Sequence, residues 1–435
     1  MTGGWIGLRS PITGAALAPD GPHALREPDG RRWPVVDGIP FLRTGRDALA
    51  EAALGHLDAG ERAGALALLL ADQDDWWTGP PADPENLARL VAGADALGLR
   101  DAMGLLGFGR VGDYFAHRWS DPTFLAGLAL IEAHRADPTR SAFEIACGIG
   151  HYGRELLGRG VAYGGGDVVF AKLWLARHWV LGAEARLVCF DAASPWPVAD
   201  GAFDLVLCQD AFYFLEPKSD ILSRLRGLAA DGGWLAVGHV HNREAENHSA
   251  GRAVTWEEMA ELFPDGVFYD DAELTRALAE ARAPVPQAPE DLRDAEAFAV
   301  ACGPGLRPAP RRLDGGYAMP VRTSGLRINP LYTTPAAVED ETLPRSGDVA
   351  RGREREGESA PAVASSSSPA LRGPALPGHE GRSRSALELR FPSERYAAEY
   401  GSLATYPSRF VPPADAASRL DAIRRRAIVD LPERW

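Results

Sequence analysis

Between residues 141 and 303 the chain alternates short apolar runs with helix-forming stretches. Ala142–Ala146, Val161–Tyr163, Leu187–Phe190, Phe203–Cys208 and Trp234–His239 read as strands, with Val267–Tyr269 and Ala297–Cys302 as a sixth and a seventh. Tyr152–Gly158, Val168–Leu181, Lys218–Ala230, Thr255–Phe263 and Ala272–Ala281 read as the helices between them. Regular strand–helix alternation dictates an α/β fold, a mostly parallel sheet covered by helices on both faces. Such a sheet binds ligands at the C-terminal ends of its strands, so the loops there are where chemistry is expected.

The remainder divides by composition. Residues 1–43 are apolar runs broken by Gly and Pro, which read as a small β module of hairpins. Residues 44–140 are helical; Asp83-Pro84 and Asp121-Pro122 each place a capping carboxylate before a first-turn proline. Residues 141–303 are the α/β domain and 304–340 an irregular extension. Residues 341–385 hold the charge run Arg351–Glu358 and Ser365–Ser368, and read as a disordered linker unable to bury a core. Residues 386–435 regain aromatics and are expected to pack on the rest.

Composition removes several function classes. Lys+Arg is 46 and Asp+Glu is 60, a formal charge of −14. A protein that coats nucleic acid needs a basic face, so nucleic acid is an unfavoured partner. No apolar stretch approaches the ~20 residues of a membrane span. The start lacks a basic segment followed by an apolar one, so no secretory signal is expected. Cys147, Cys189, Cys208 and Cys302 have neither metal nor disulfide-framework spacing, the usage expected of a reduced, cytoplasmic protein.

The segment Phe143-Glu144-Ile145-Ala146-Cys147-Gly148-Ile149-Gly150-His151-Tyr152-Gly153 runs a strand into glycines and then a helix. Such a turn lets backbone approach a ligand and aims helix N–H groups at it. Gly148, Gly150 and Gly153 with Asp167 also satisfy a dinucleotide fingerprint. Glu144 argues against that, because a pyrophosphate gains nothing from a buried anion, whereas a sulfonium or ammonium does. Strand three exits through Phe190-Asp191-Ala192, where a carboxylate can accept an adenine amino hydrogen. Strand four is Phe203-Asp204-Leu205-Val206, and Asp231-Gly232-Gly233 precedes strand five.

On these landmarks residues 141–240 resemble a class I S-adenosylmethionine-dependent methyltransferase. The resemblance implies a Rossmann-like sheet of seven strands, the last antiparallel, and S-adenosylmethionine as cofactor. It implies that Glu144, Cys147, Gly148 and Gly150 surround the methionine moiety, Asp167 the ribose hydroxyls, Asp191 and Ala192 the adenine, and that Gln209 borders the amino-acid end. Ala146 departs from the family, which usually has a glycine there. The N-terminal segment Leu8–Leu17 with Gly30–Pro40 is similar to the zinc-ribbon-like module that activates, or is fused to, methyltransferases. Its metal-binding members carry cysteines near Ser10 and Thr13; this chain has none, so no zinc is expected.

Substrate residues are less legible. His239 and His241 follow strand five and are the candidate general bases, since imidazole titrates near neutrality. His248 lies further on, and no carboxylate completes a metal set at known spacing, so no metal is expected. Tyr114, Arg118, Trp119 and Tyr213 are candidate substrate or lid residues. The expectation is O-methyl transfer to a small molecule or sugar. An RNA or protein methyltransferase, or a non-catalytic S-adenosylmethionine-binding protein, are the alternatives; oligomeric state is not legible.

Overall fold

The computed structural model describes residues 7–135, 139–246, 251–321, 325–334 and 386–435. The expected linker 341–385 and His248 lie outside the described residues. At the centre is a seven-stranded sheet. Its strands are β1 (Ser141–Ile145), β2 (Ala162–Asp167), β3 (Arg186–Cys189), β4 (Phe203–Gln209), β5 (Ala229–His241), β6 (Val267–Asp270) and β7 (Ala297–Cys302). Their order across the sheet is β6-β7-β5-β4-β1-β2-β3. Strands β1 to β5 pair in parallel, and β7 is antiparallel to both β5 and β6. The order reverses between β1 and β4, which opens the ligand crevice at their C-terminal ends.

Strand β2 runs four residues beyond the sequence reading, through Gly164, Gly165 and Gly166 to Asp167. Glycine disfavours strands, but neighbours claim the space a side chain would fill. A Cβ at Gly164 would lie 2.9 Å from the Phe143 ring, one at Gly165 2.8 Å from Cys147 Sγ, and one at Gly166 2.3 Å from the Phe190 ring. We expect Gly166→Ala to destabilise the fold by about 1–3 kcal/mol through overpacking. A denaturant midpoint unchanged from wild type would refute this.

The helix Pro122–His134 starts where expected: Asp121 accepts from the backbone N–H groups of Thr123 and Phe124. It is buried on all sides, packed between β5 and the helix Asp271–Ala279, which explains why its composition is apolar all round. The helix Trp256–Leu262 opens with a capping box between Thr255 and Glu258.

The N-terminal module is a four-stranded antiparallel meander of Ala18–Pro19, Ala24–Arg26, Arg32–Val36 and Ile39–Pro40. Within it Ser10 Oγ and Thr13 Oγ1 donate to the buried Glu27 carboxylate at 2.8 and 2.7 Å, and Trp33 Nε1 donates at 2.9 Å. The module is joined to the sheet edge: Leu42 N–H donates to Cys189 C=O at 2.7 Å, and Trp174 and His178 reach Asp37. Leu25, Trp33, Val35 and Leu42 share one apolar cluster with Val188 and Phe190.

The C-terminal segment closes on the domain from the far end of the sequence. Arg154, in the helix His151–Gly158 after β1, forks onto Asp430 at 2.8 and 2.9 Å, both partners buried. Trp435 Nε1 donates to Ala116 C=O, and Arg434 reaches the carbonyls of Ala94 and His178.

Candidate active site

The glycine turn sits at the end of β1. Gly148 (φ +55°) and Gly150 (φ +81°) are left-handed, and so is Ala146 (φ +53°). Ala146 therefore takes the backbone conformation that favours the family's glycine, and keeps it against the steric preference of its Cβ. A Cβ at Gly150 would lie 2.6 Å from Leu181, so glycine is required there on two grounds. Asp167, at the end of β2, ties the turn down: its carboxylate accepts from Gly148 N–H and Val169 N–H, both at 2.9 Å. Lys172 stands 3.8 Å from Asp167 and also 3.8 Å from Asp74 in the helical region.

Glu144 is 2% exposed and accepts from the Tyr163 hydroxyl at 2.6 Å. Burial pushes its carboxyl up to about 8, against the opposing pull of Tyr163 and Arg118. A carboxyl this desolvated fits a site completed by a cation, as the sulfonium and ammonium of S-adenosylmethionine would complete it. Cys147 lies in the same turn, its thiol pushed up by burial. Asp191 and Ala192 follow β3. Asp191 accepts from Ala193 N–H at 2.9 Å, and the Ala192 carbonyl accepts from Trp196 and Arg224. Gln209 Nε2 donates to Ala236 C=O, bracing β4 against β5.

One functional residue escaped the sequence reading. Asp210, the first residue after β4, is the hub of the site. Tyr114 Oη donates to it at 2.5 Å, Tyr213 Oη at 2.7 Å and Arg118 Nη1 at 3.0 Å. His239 Nε2 is 3.8 Å away, and His239 Nδ1 is 2.7 Å from Asp271 Oδ2. Three expected site residues, Tyr114, Arg118 and Tyr213, thus converge on a residue given no role. The fourth, Trp119, does not: it is buried against His151, ring centroids 4.4 Å apart. Asp210 (φ +53°) and His239 (φ +51°) are both left-handed. Such non-glycine residues gather where function sets the backbone.

Burial raises the Asp210 carboxyl, but His239, Arg118 and the Tyr114 hydroxyl outweigh it and hold it below the usual range. Burial also works against a charge on His239; Asp210 and Asp271 overcome it and raise the imidazole to about 9. At neutral pH His239 is a cation with no lone pair to accept a proton. His241, buried beside it, meets His239 and Tyr213 edge to face with centroids 4.7 and 4.6 Å apart. Asp210, His239 and His241 bring one ligand atom each within 4.8 Å of one another. A carboxylate absent from the local sequence is thus supplied in space. In the same place Arg118 and two phenols hold the Asp210 carboxylate, and His239 pairs with Asp210 and Asp271. His239 and His241 line a cavity of about 200 Å³ together with Thr123, Asp271, Thr275, Glu399 and Tyr400.

Residues 143–237 match a family described as a methyltransferase domain. The chain carries a methyltransferase domain, and the match supports S-adenosylmethionine as its cofactor. No curated protein sequence matches it significantly. Among solved structures it is similar to Haemonchus contortus phosphoethanolamine N-methyltransferase 2 in complex with S-adenosyl-L-methionine (18% identity over 42% of this chain and 49% of that one, TM-score 0.33). A possible histamine N-methyltransferase from Thermotoga maritima matches at 17% identity over 46% of this chain and 96% of that one, TM-score 0.31. A complex of the Haloferax volcanii Trm112 methyltransferase activator matches at 16% identity, over 47% of this chain and 95% of that one, TM-score 0.33. None of these bears on the substrate. Among the described residues no helix is long and apolar enough to cross a membrane.

Proposed function

We propose that this methyltransferase acts on a hydroxyl of a small molecule, such as a sugar or natural product, with His241 as general base. The observation that carries the reading is the cavity of about 200 Å³ lined by His241 and by Tyr400 and Leu403 of the C-terminal segment. Its volume suits a small molecule, since a cavity of about 150 Å³ already admits benzene. The bound cofactor supplies an activated methyl group, so the protein's task is to align the acceptor and exclude water.

Glu144, Cys147, Gly148 and Gly150 would hold the methionine end, Asp167 the ribose, Asp191 and Ala192 the adenine, and Gln209 the border with the acceptor. Arg118 and Tyr114 pin Asp210, and Asp210 with Asp271 keeps His239 protonated. That leaves His241 to take the hydroxyl proton as the oxygen is methylated, while the charged neighbours stay fixed. The acidic chain and the small volume of the cavity weigh against RNA or a folded protein as acceptor.

Calorimetric titration with S-adenosylhomocysteine, with NADH as control, tests the cofactor site. Micromolar binding of S-adenosylhomocysteine, weakened at least about tenfold by Asp191→Ala, is expected for a lost charge-assisted hydrogen bond. Binding of NADH instead would remove the assignment. His241→Gln is expected to lower methyl transfer to hydroxyl acceptors by about 10²–10⁴-fold, the usual share of a general base, with S-adenosylhomocysteine affinity unchanged. Full turnover in that variant would eliminate the base.

A further inference from the structure

The cavity at His241 has a second wall that methyl transfer to a hydroxyl leaves unused. Asp270 and Asp271 come to it from the end of β6 and the helix that follows, Asp294 and Glu296 from the approach to β7, and Glu399 from the C-terminal helix Glu394–Tyr400. No lysine or arginine is among the described residues that line it. Five carboxylate residues and one imidazolium, His239, therefore line it; of the five, Asp270 and Glu399 also have arginines near them, Arg276 at 3.9 Å and Arg395 at 3.8 Å.

Asp271 is the most buried of the five, at 6% exposure. Its Oδ2 is 2.7 Å from His239 Nδ1, whereas the equally buried Oδ1 has no hydrogen-bond partner among the described residues. Buried carboxylate oxygens are ordinarily paired, so an orphan at a cavity wall calls for a donor from within the cavity. Tyr400 contributes an aromatic ring to the same wall, and aromatic rings attract cations.

We infer that this wall binds the ammonium group of the substrate, so that the acceptor is a small amino alcohol, its hydroxyl at His241 and its ammonium at Asp271. This rests on the hydroxyl-transfer reading above. An ammonium brings a full charge and three N–H donors. A hydroxyl in its place brings one donor and no charge; a trimethylammonium brings charge and no donor. The orphan oxygen distinguishes all three, because it needs both.

The test is binding to the full chain saturated with S-adenosylhomocysteine, followed by calorimetry. The probes are trans-2-aminocyclohexanol, trans-cyclohexane-1,2-diol and the N,N,N-trimethyl derivative of the amine. In the wild type the amine is expected to bind at least about tenfold tighter than either comparison compound, as a charge-assisted hydrogen bond provides. Asp271→Asn is expected to remove most of that preference with S-adenosylhomocysteine affinity unchanged. Equal binding of amine and diol, a preference undiminished in Asp271→Asn, or absence of saturable amine binding would each overturn the inference. Should Asp271→Asn not fold, the wild-type comparison of amine with its trimethyl derivative decides the matter. The cofactor product keeps the two readings apart: failure to bind S-adenosylhomocysteine removes the methyltransferase site itself, whereas intact binding without an amine preference removes the ammonium wall alone.

Discussion

Asp210→Asn is expected to be the most damaging single substitution in the site. Arg118 is 4% exposed on its side chain and donates to Asp210, and His239 owes part of its charge to the same carboxylate. Removing one partner of a buried ion pair leaves the other charge uncompensated, at a cost of about 3–5 kcal/mol. The variant should unfold at much lower denaturant and lose methyl transfer, because Tyr114, Tyr213 and Arg118 lose their common anchor. A pH series separates this from generic damage. The folded His239 imidazole lies at about 9, above the ordinary 6.5 of an unfolded chain. The stability supplied by its ion pairs is therefore fully present below about pH 6.5 and is lost as pH rises through about 9. Asp210→Asn should flatten that dependence and lower the His239 titration seen by NMR. A His239 midpoint unchanged in the variant would show that Asp271 alone sets its charge.

Glu144→Gln should separate folding from cofactor binding. With its carboxyl pushed up to about 8 by burial, Glu144 is mostly protonated at neutral pH in the free protein. Its contribution to folding is present below about pH 4.5 and is lost as pH rises through about 8. Glutamine copies the protonated form without the cost of protonating a carboxylate that is ionised in the unfolded chain, so the variant should be at least as stable as wild type near pH 7 and should lose the pH dependence between about 4.5 and 8. Binding is different, because the ammonium and sulfonium of the cofactor favour the ionised carboxylate over the neutral one. The groups that face Glu144 are Tyr163, Cys147, Asp167 and Arg118. Glu144 itself is expected to release a proton near neutrality when a cation arrives. Calorimetry in two buffers of different ionisation enthalpy should show proton release by the wild type and none by Glu144→Gln. The variant should also bind S-adenosylmethionine about 10–100-fold more weakly, the worth of a hydrogen bond to a charged group. An unchanged proton count would mean that Glu144 does not meet the cofactor.

Both substitutions act at strand ends, yet the two residues were unequally legible. Glu144 announces itself because it interrupts an apolar strand just before a glycine turn, a pattern complete within ten residues. Asp210 lies in an equally ordinary exit from a strand, and its meaning comes from partners 96 and 92 residues away, Tyr114 and Arg118. His239 and His241 were visible as a pair, but not which of them could be a base. That depends on Asp271, delivered 32 residues later by a helix start. Trp119 stands with Tyr114 and Arg118 as a lid candidate because the resemblance implies that helices before the sheet cover the cofactor. The turn Arg118–Ser120 points it instead into the packing around His151.

What the sequence by itself determined is local. Alternating strand and helix periods specify the α/β class, the glycines specify the turn after β1, and Asp-Pro pairs specify where helices start. Each of these is a backbone preference set within a few residues of itself. Only the tertiary structure decided the rest. It made a strand of Gly164–Gly166, because Phe143, Cys147 and Phe190 occupy the space their side chains would need. It brought Asp430 to Arg154 across 276 residues, and Tyr400 to the wall of the cavity. The charge of His239 and the protonation of Glu144 are likewise tertiary facts. A side chain's ionisation depends on how much water it has lost and which charges replaced that water, and neither is written in its neighbours along the chain.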